Sequence, residues 1–233
     1  MGYGYGYGID LTYLLLVLPA LFISMWAQYK VQNAFSQYSQ ERCTSGLTGA
    51  ETARRILQAN GITDIRIEHI QGNLSDHYSP NEKVIRLSDS VYDVPSVAAV
   101  GVAAHECGHA IQYATGYAPI KLRNAIIPAS RIGSALSFPL LLLGMFMNFQ
   151  PLVLAGIGLF SLVTLFQLLT LPVEFDASNR ALKVIDERGM LNPEEYSGAK
   201  KVLSAAALTY VAALLVSFGQ LLRLLLVFGR RRD

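Results

Sequence analysis

The sequence is short of charge. Only 15% of its 233 residues are Asp, Glu, Lys or Arg, against about 25% in an ordinary soluble domain. That scarcity excludes an intrinsically disordered chain, which needs high charge and low hydrophobicity, and it points away from a freely soluble protein. Neither sign dominates. Nineteen basic against seventeen acidic residues leave a net charge of +2, too little for a nucleic-acid binder. Cysteine is almost absent, and Cys43 and Cys107 alone cannot build a disulfide framework. Histidine is scarce as well, with four in the chain. What abounds is apolar: 52% of residues, with a mean hydropathy of +0.34.

The apolar residues gather in long runs. A helix needs roughly 17–25 apolar residues to cross the hydrocarbon core. The runs predict four transmembrane helices, at 9–28, 132–149, 151–171 and 202–228. Soluble core helices rarely run so long without a polar face. Arg223 is compatible with the last run, because a long cation near a helix end reaches the interface. The first run lacks a cationic start and a small-residue cleavage site, so it reads as a retained anchor rather than a signal peptide. The remaining pieces are a Gly-Tyr tail at 1–8, a polar domain at 30–131, a second polar segment at 172–201 and a basic tail at 229–233. The second and third runs are joined by a short turn at Asn148–Pro151. A hairpin returns the chain to the side it left. Residues 30–131 and 172–201 therefore belong on one face of the bilayer and both termini on the other.

Within the polar segments, Thr48 and Glu51 fit a capping box, and Gly61 fits a helix stop. Residues 65–70 and 83–88 alternate as strands do, which predicts a small two- or three-stranded sheet. Ser96 after Pro95 marks an N-cap, for a helix to about Ala114. Pro172 predicts a boundary before a further helix, Val173 to Glu187. The fold class is α+β, mainly helical: a core with a small sheet, joined to about four transmembrane helices.

The chemistry lies in His105-Glu106-Cys107-Gly108-His109. Histidines at i and i+4 lie about 40° apart around a helix, so both rings can reach one ion. Imidazole is a good ligand for Zn²⁺. Glu106 sits about 60° around the helix from His109, beside the open position rather than among the ligands. There it can serve as general base toward the attacking water. Cys107 points away and reads as a packing residue. A catalytic zinc site needs a third protein ligand. Glu174 stands at a helix start directly after the third run, on the correct side of the hairpin; Asp176 and His77 compete with it.

The block SVAAVGVAAHECGHAIQYATGYAP, with LSDHYSPNEKVIRLS and PVEFDASNRAL, resembles the YugP-type neutral zinc metallopeptidases of bacterial membranes, a membrane gluzincin-like family. The resemblance covers about Tyr29 to Tyr210. It implies a compact gluzincin-like core joined to transmembrane helices, in a bacterial cell membrane. It implies His105, His109 and Glu174 as zinc ligands and Glu106 as the base. Related membrane gluzincins place Asp four residues after the third ligand, where it orients a ligand histidine. This chain has Ser178 there, a weaker partner than a carboxylate. Asp176 is the nearest substitute, but it lies two residues along the helix and points elsewhere.

The expected function is integral-membrane zinc endopeptidase. Its partners are a protein or peptide substrate and the lipid bilayer, with no nucleic acid; the sequence does not specify an oligomeric state. A non-catalytic metal-binding membrane protein, as part of a sensor or transporter, is the alternative, and it has no need of Glu106. An oxyanion donor is sought among His77, Tyr78, Tyr113, Tyr117 and Arg180, with His77 also an auxiliary catalytic candidate. The strand KVIRLS could offer a free edge to an extended peptide. Nine Lys and Arg near membrane ends on the catalytic face, against three or four on the other, predict a cytoplasmic catalytic face.

Overall fold

The computed structural model describes residues 11–229. The tail expected at 1–8, the start of the first apolar run and residues 230–233 of the basic tail lie outside the described residues. A π-helical segment, Tyr13–Val17, leads into α1 (Leu18–Gln40). There follow α2 (Gly49–Ala59), β1 (Arg66–Ile70), β2 (His77–Ser79), β3 (Val84–Ser88) and α3 (Val97–Ala114). Three long helices complete the chain: α4 (Ala118–Phe146), α5 (Gln150–Glu187) and α6 (Pro193–Phe228).

The chain divides into two compact units. One comprises the described parts of Met1–Trp26, Ala125–Leu168 and Tyr210–Asp233. Among the described residues, four helices are long and apolar enough to cross a membrane: Tyr13–Gln40, Ala118–Phe146, Gln150–Glu187 and Pro193–Phe228. In this unit Phe138, Phe146 and Leu154 are exposed, as suits a surface that meets lipid rather than water. Its helices touch at glycines. A Cβ on Gly133 would fall 2.5 Å from Leu159 O, and one on Gly219 would fall 2.5 Å from Leu16 O. Small residues allow such close approach where apolar burial alone does not drive association. The turn between α4 and α5 is tight, with Asn148 at φ +50°, a left-handed conformation that asparagine tolerates.

The second unit comprises Ala27–Asn124 and Leu169–Thr209. It holds the sheet, α2, α3 and the C-terminal part of α5, around a core of Ile56, Ile85, Leu87, Val97, Val100 and Ile185. Thr48 caps α2 by accepting from Glu51 N at 3.2 Å. Ser96 caps α3 in the same way, accepting from Ala99 N at 3.2 Å.

Two expectations are corrected. The strand order is β1-β3-β2. β3 pairs in parallel with β1 and antiparallel with β2, so KVIRLS is the central strand and has no free edge. Its residues Val84, Ile85, Leu87 and Ser88 are buried accordingly. The edges belong to β1 and β2, and the three residues of β2 are too few to show an alternating pattern. The second correction is Pro172, which ends nothing: α5 runs through it unbroken from Gln150 to Glu187. α4 likewise carries Pro128 and Pro139 inside. A proline inside a helix forfeits one backbone bond, which long apolar helices absorb through their neighbours.

Candidate metal centre

The centre is built where α3 and α5 touch. Gly108 permits this: a Cβ there would lie 2.3 Å from Ala177 O. His105 and His109 flank Gly108 on α3. Glu174, Ala177, Ser178 and Ala181 share one buried stripe of α5, spaced three and four residues apart as one helix face requires. The backbone contact thereby sets Glu174 against the two histidines.

Nε2 of His105 lies 3.3 Å from Glu174 Oε2, and Nε2 of His109 lies 3.6 Å from the same oxygen. The ligand atoms of the three residues all lie within 4.8 Å of one another. Zinc bonds of about 2.0–2.1 Å in a tetrahedron put two ligand atoms about 3.3–3.4 Å apart. The side chains are largely buried, 16% and 13% exposed for the histidines and 4% for Glu174. Their rings meet edge to face, with centroids 4.8 Å apart.

Protons decide what this cluster wants. Nδ1 of His109 lies 3.0 Å from Gln112 Oε1, which only accepts. Nδ1 therefore carries the hydrogen. In a neutral ring Nε2 then presents a lone pair toward an acid oxygen. Glu174 Oε2 is buried and accepts no hydrogen bond of good geometry. Two facing lone pairs need a positive species between them. A divalent cation meets that need and matches the spacing; the residues fit zinc.

The outer partners differ for the two rings. Ser178 Oγ lies 3.1 Å from Nδ1 of His105, so the serine occupies the orienting position despite its weaker chemistry. Asp176 does point away from His105. Its Oδ2 accepts from Gln112 Nε2 at 2.8 Å and from Arg180 Nε at 2.5 Å. Its carboxylate thus reaches the other histidine, His109, through Gln112.

Glu106 is buried on α3, 8% exposed, and its carboxylate is in no hydrogen bond or ion pair with a described residue. Cys107 is fully buried, with Sγ 3.7 Å from Ala53 O; burial pushes its thiol pKa up, so it remains a neutral packing group. His77 stands outside the cluster: it is exposed on β2, with Nδ1 2.9 Å from Ser75 O. Among the oxyanion candidates, Tyr113 accepts from Asn124 Nδ2 at 2.5 Å. Arg180 is bound to Asp176 and lies over the Tyr117 ring, 5.4 Å from its centroid. Tyr78 packs edge to face on Tyr113 at 5.5 Å. Burial raises its pKa, aided by Tyr113 and Asp64, so its hydroxyl keeps its proton.

Sequence reasoning did not find Gln112 or Gly108. Gln112 had a faint signal, a lone amide seven residues after His105 and so on the same helical face. Gly108 had none without knowledge of what crosses α3.

A two-histidine helix, a carboxylate from a second helix and a small sheet beside them define a gluzincin-like core. The family described as "Putative neutral zinc metallopeptidase" matches residues 13–229, and the chain belongs to that family. It is 48% identical over 221 residues to the "Putative membrane protease YugP" of Bacillus subtilis (strain 168), covering 95% of this chain and 98% of that protein. No solved structure matches the chain.

Proposed function

We propose that the chain is an integral-membrane zinc metalloendopeptidase. His105, His109 and Glu174 are the ligands and Glu106 is the general base. One observation carries this: two imidazole nitrogens converge on a buried acid oxygen at 3.3 and 3.6 Å in a chain whose family is named for zinc peptidases. Zinc, when bound, lowers the pKa of a water and polarises the scissile carbonyl. Glu106 takes the proton of the attacking water and delivers it to the leaving amine. Gly108 keeps the two helices close enough for Glu174 to complete the site. Tyr78, protonated on β2, is the donor we assign to the developing oxyanion, and His77 beside it contacts substrate. The unpaired edge of β2 is where an extended peptide can add by main-chain hydrogen bonds.

The four apolar helices make the bilayer a partner of the fold, and the Lys and Arg balance favours a cytoplasmic catalytic face. Labelling of single cysteines placed in residues 30–131, in intact cells, tests that orientation. Function is tested by zinc analysis and casein cleavage on the parent, Glu106→Gln and Glu174→Ala. Glu106→Gln should retain about one zinc and lose about 10²–10⁴-fold in rate. Cleavage at the parental rate by that variant would remove the base and favour a metal-binding protein without hydrolysis. Glu174→Ala should lose zinc on dialysis; parental zinc content would assign the third ligand elsewhere.

A further inference from the structure

Gln112 is fully buried, one helical turn beyond His109 on α3. Every polar atom of its side chain is engaged. Nε2 donates to Val173 O at 2.7 Å and to Asp176 Oδ2 at 2.8 Å. Both of those oxygens can only accept, so the amide cannot be reversed. Oε1 is thereby the atom that faces His109 Nδ1, at 3.0 Å, and it too can only accept. The geometry leaves one neutral form of His109, with hydrogen on Nδ1 and a lone pair on Nε2. Resting on the zinc reading above, we infer that Gln112 is a positioning residue that locks His109 in its metal-binding tautomer. It is itself oriented by α5 through Val173 and Asp176.

Asp176 adds more than an anchor. Its carboxylate is paired with Arg180, Oδ2 to Nε at 2.5 Å. A hydrogen bond from the amide to a carboxylate polarises the amide and strengthens the bond its oxygen accepts. The chain Arg180–Asp176–Gln112–His109 makes the imidazole a better donor to a metal, the role carboxylates commonly play beside ligand histidines. Thus α5 reaches one histidine through Ser178 and the other through Gln112.

Two measurements test this without reference to activity. In the metal-free protein in detergent at pH 9, ¹⁵N-histidine spectra report which ring nitrogen carries hydrogen, with His109 assigned by its Gln variant. The expected result is Nδ1–H; the Nε2–H form would overturn the inference. Zinc affinity by chelator competition is the second. Gln112→Met keeps side-chain length and volume and removes the hydrogen bonds. It should bind zinc about 10–100-fold more weakly, with an unfolding temperature for the metal-free form close to the parent's. Parental zinc affinity would reduce Gln112 to a space-filler and overturn the proposal. Asp176→Asn keeps an acceptor for Gln112 and removes the charge, so it should weaken zinc several-fold, and parental affinity there would sever Asp176 from the chain. If the parent itself binds no zinc, the peptidase reading fails, while the tautomer measurement still decides the role of Gln112.

Discussion

Gly108 of α3 and Ala177 of α5 meet with no room for a side chain between them, since a Cβ at 108 would sit 2.3 Å from Ala177 O. The glycine between His105 and His109 is therefore a spacing device. Gly108→Ala forces the helices apart or bends them, and overpacking of this kind costs about 1–3 kcal/mol. We expect lower thermal stability together with loss of zinc. Gly101→Ala is the control: its Cβ would meet Ala199 Cβ at an ordinary 3.4 Å, and zinc content should hold. Equal zinc content in the two variants would show that the centre tolerates separation of its helices.

Ser178 supports His105 through its hydroxyl at 3.1 Å. Ser178→Ala leaves Nδ1 without that partner. Zinc affinity should fall by about tenfold, the lower end of the usual effect of losing such a group. Chelator competition checks it, and an unchanged constant would mean that the ring is held by packing alone.

Acid and zinc pull His109 in opposite directions. Without metal, burial opposes its charge, but the neighbouring carboxylates of Glu174 and Glu106 outweigh burial and raise its pKa. A raised histidine stabilises the fold below its unfolded pKa of about 6.5. That contribution is lost as pH climbs through the higher folded value. The zinc form behaves oppositely, because a ligand histidine must be deprotonated. Measured in detergent, the His109 contribution to the unfolding temperature should therefore rise with pH up to about 6.5 and then level off with zinc bound, and should be level below about pH 6.5 and fall above it without metal. The same fall above about pH 6.5 with zinc present would contradict a metal on His109.

His77 lies outside the cluster on β2. His77→Ala should keep a full complement of zinc and change kcat/KM by less than about tenfold, in keeping with a contact rather than proton transfer. Loss of zinc in this variant would return His77 to the ligand set.

The part of this site written along one helix was legible in the sequence, and the part written across two was not. His105, Glu106 and His109 announce themselves because helical periodicity fixes their relative directions. Glu174 could be nominated from the hairpin, but Asp176 and His77 remained in contention until α5 was seen against α3. Gln112 gave only a faint signal because its importance lies in Val173 and Asp176, some sixty residues away. KVIRLS alternates identically whether a strand is central or at an edge. The three-residue partner that makes it central carries too short a pattern to detect. Pro172 misled because proline's local cost is small beside the support that a long apolar helix receives.

Ser178, Glu174 and the Asp176 that braces Gln112 all lie within five consecutive residues of α5. The centre therefore has no half-built form: when that short stretch docks, the third ligand, both ring orientations and the polarising charge arrive together, and when it lifts or turns they depart together.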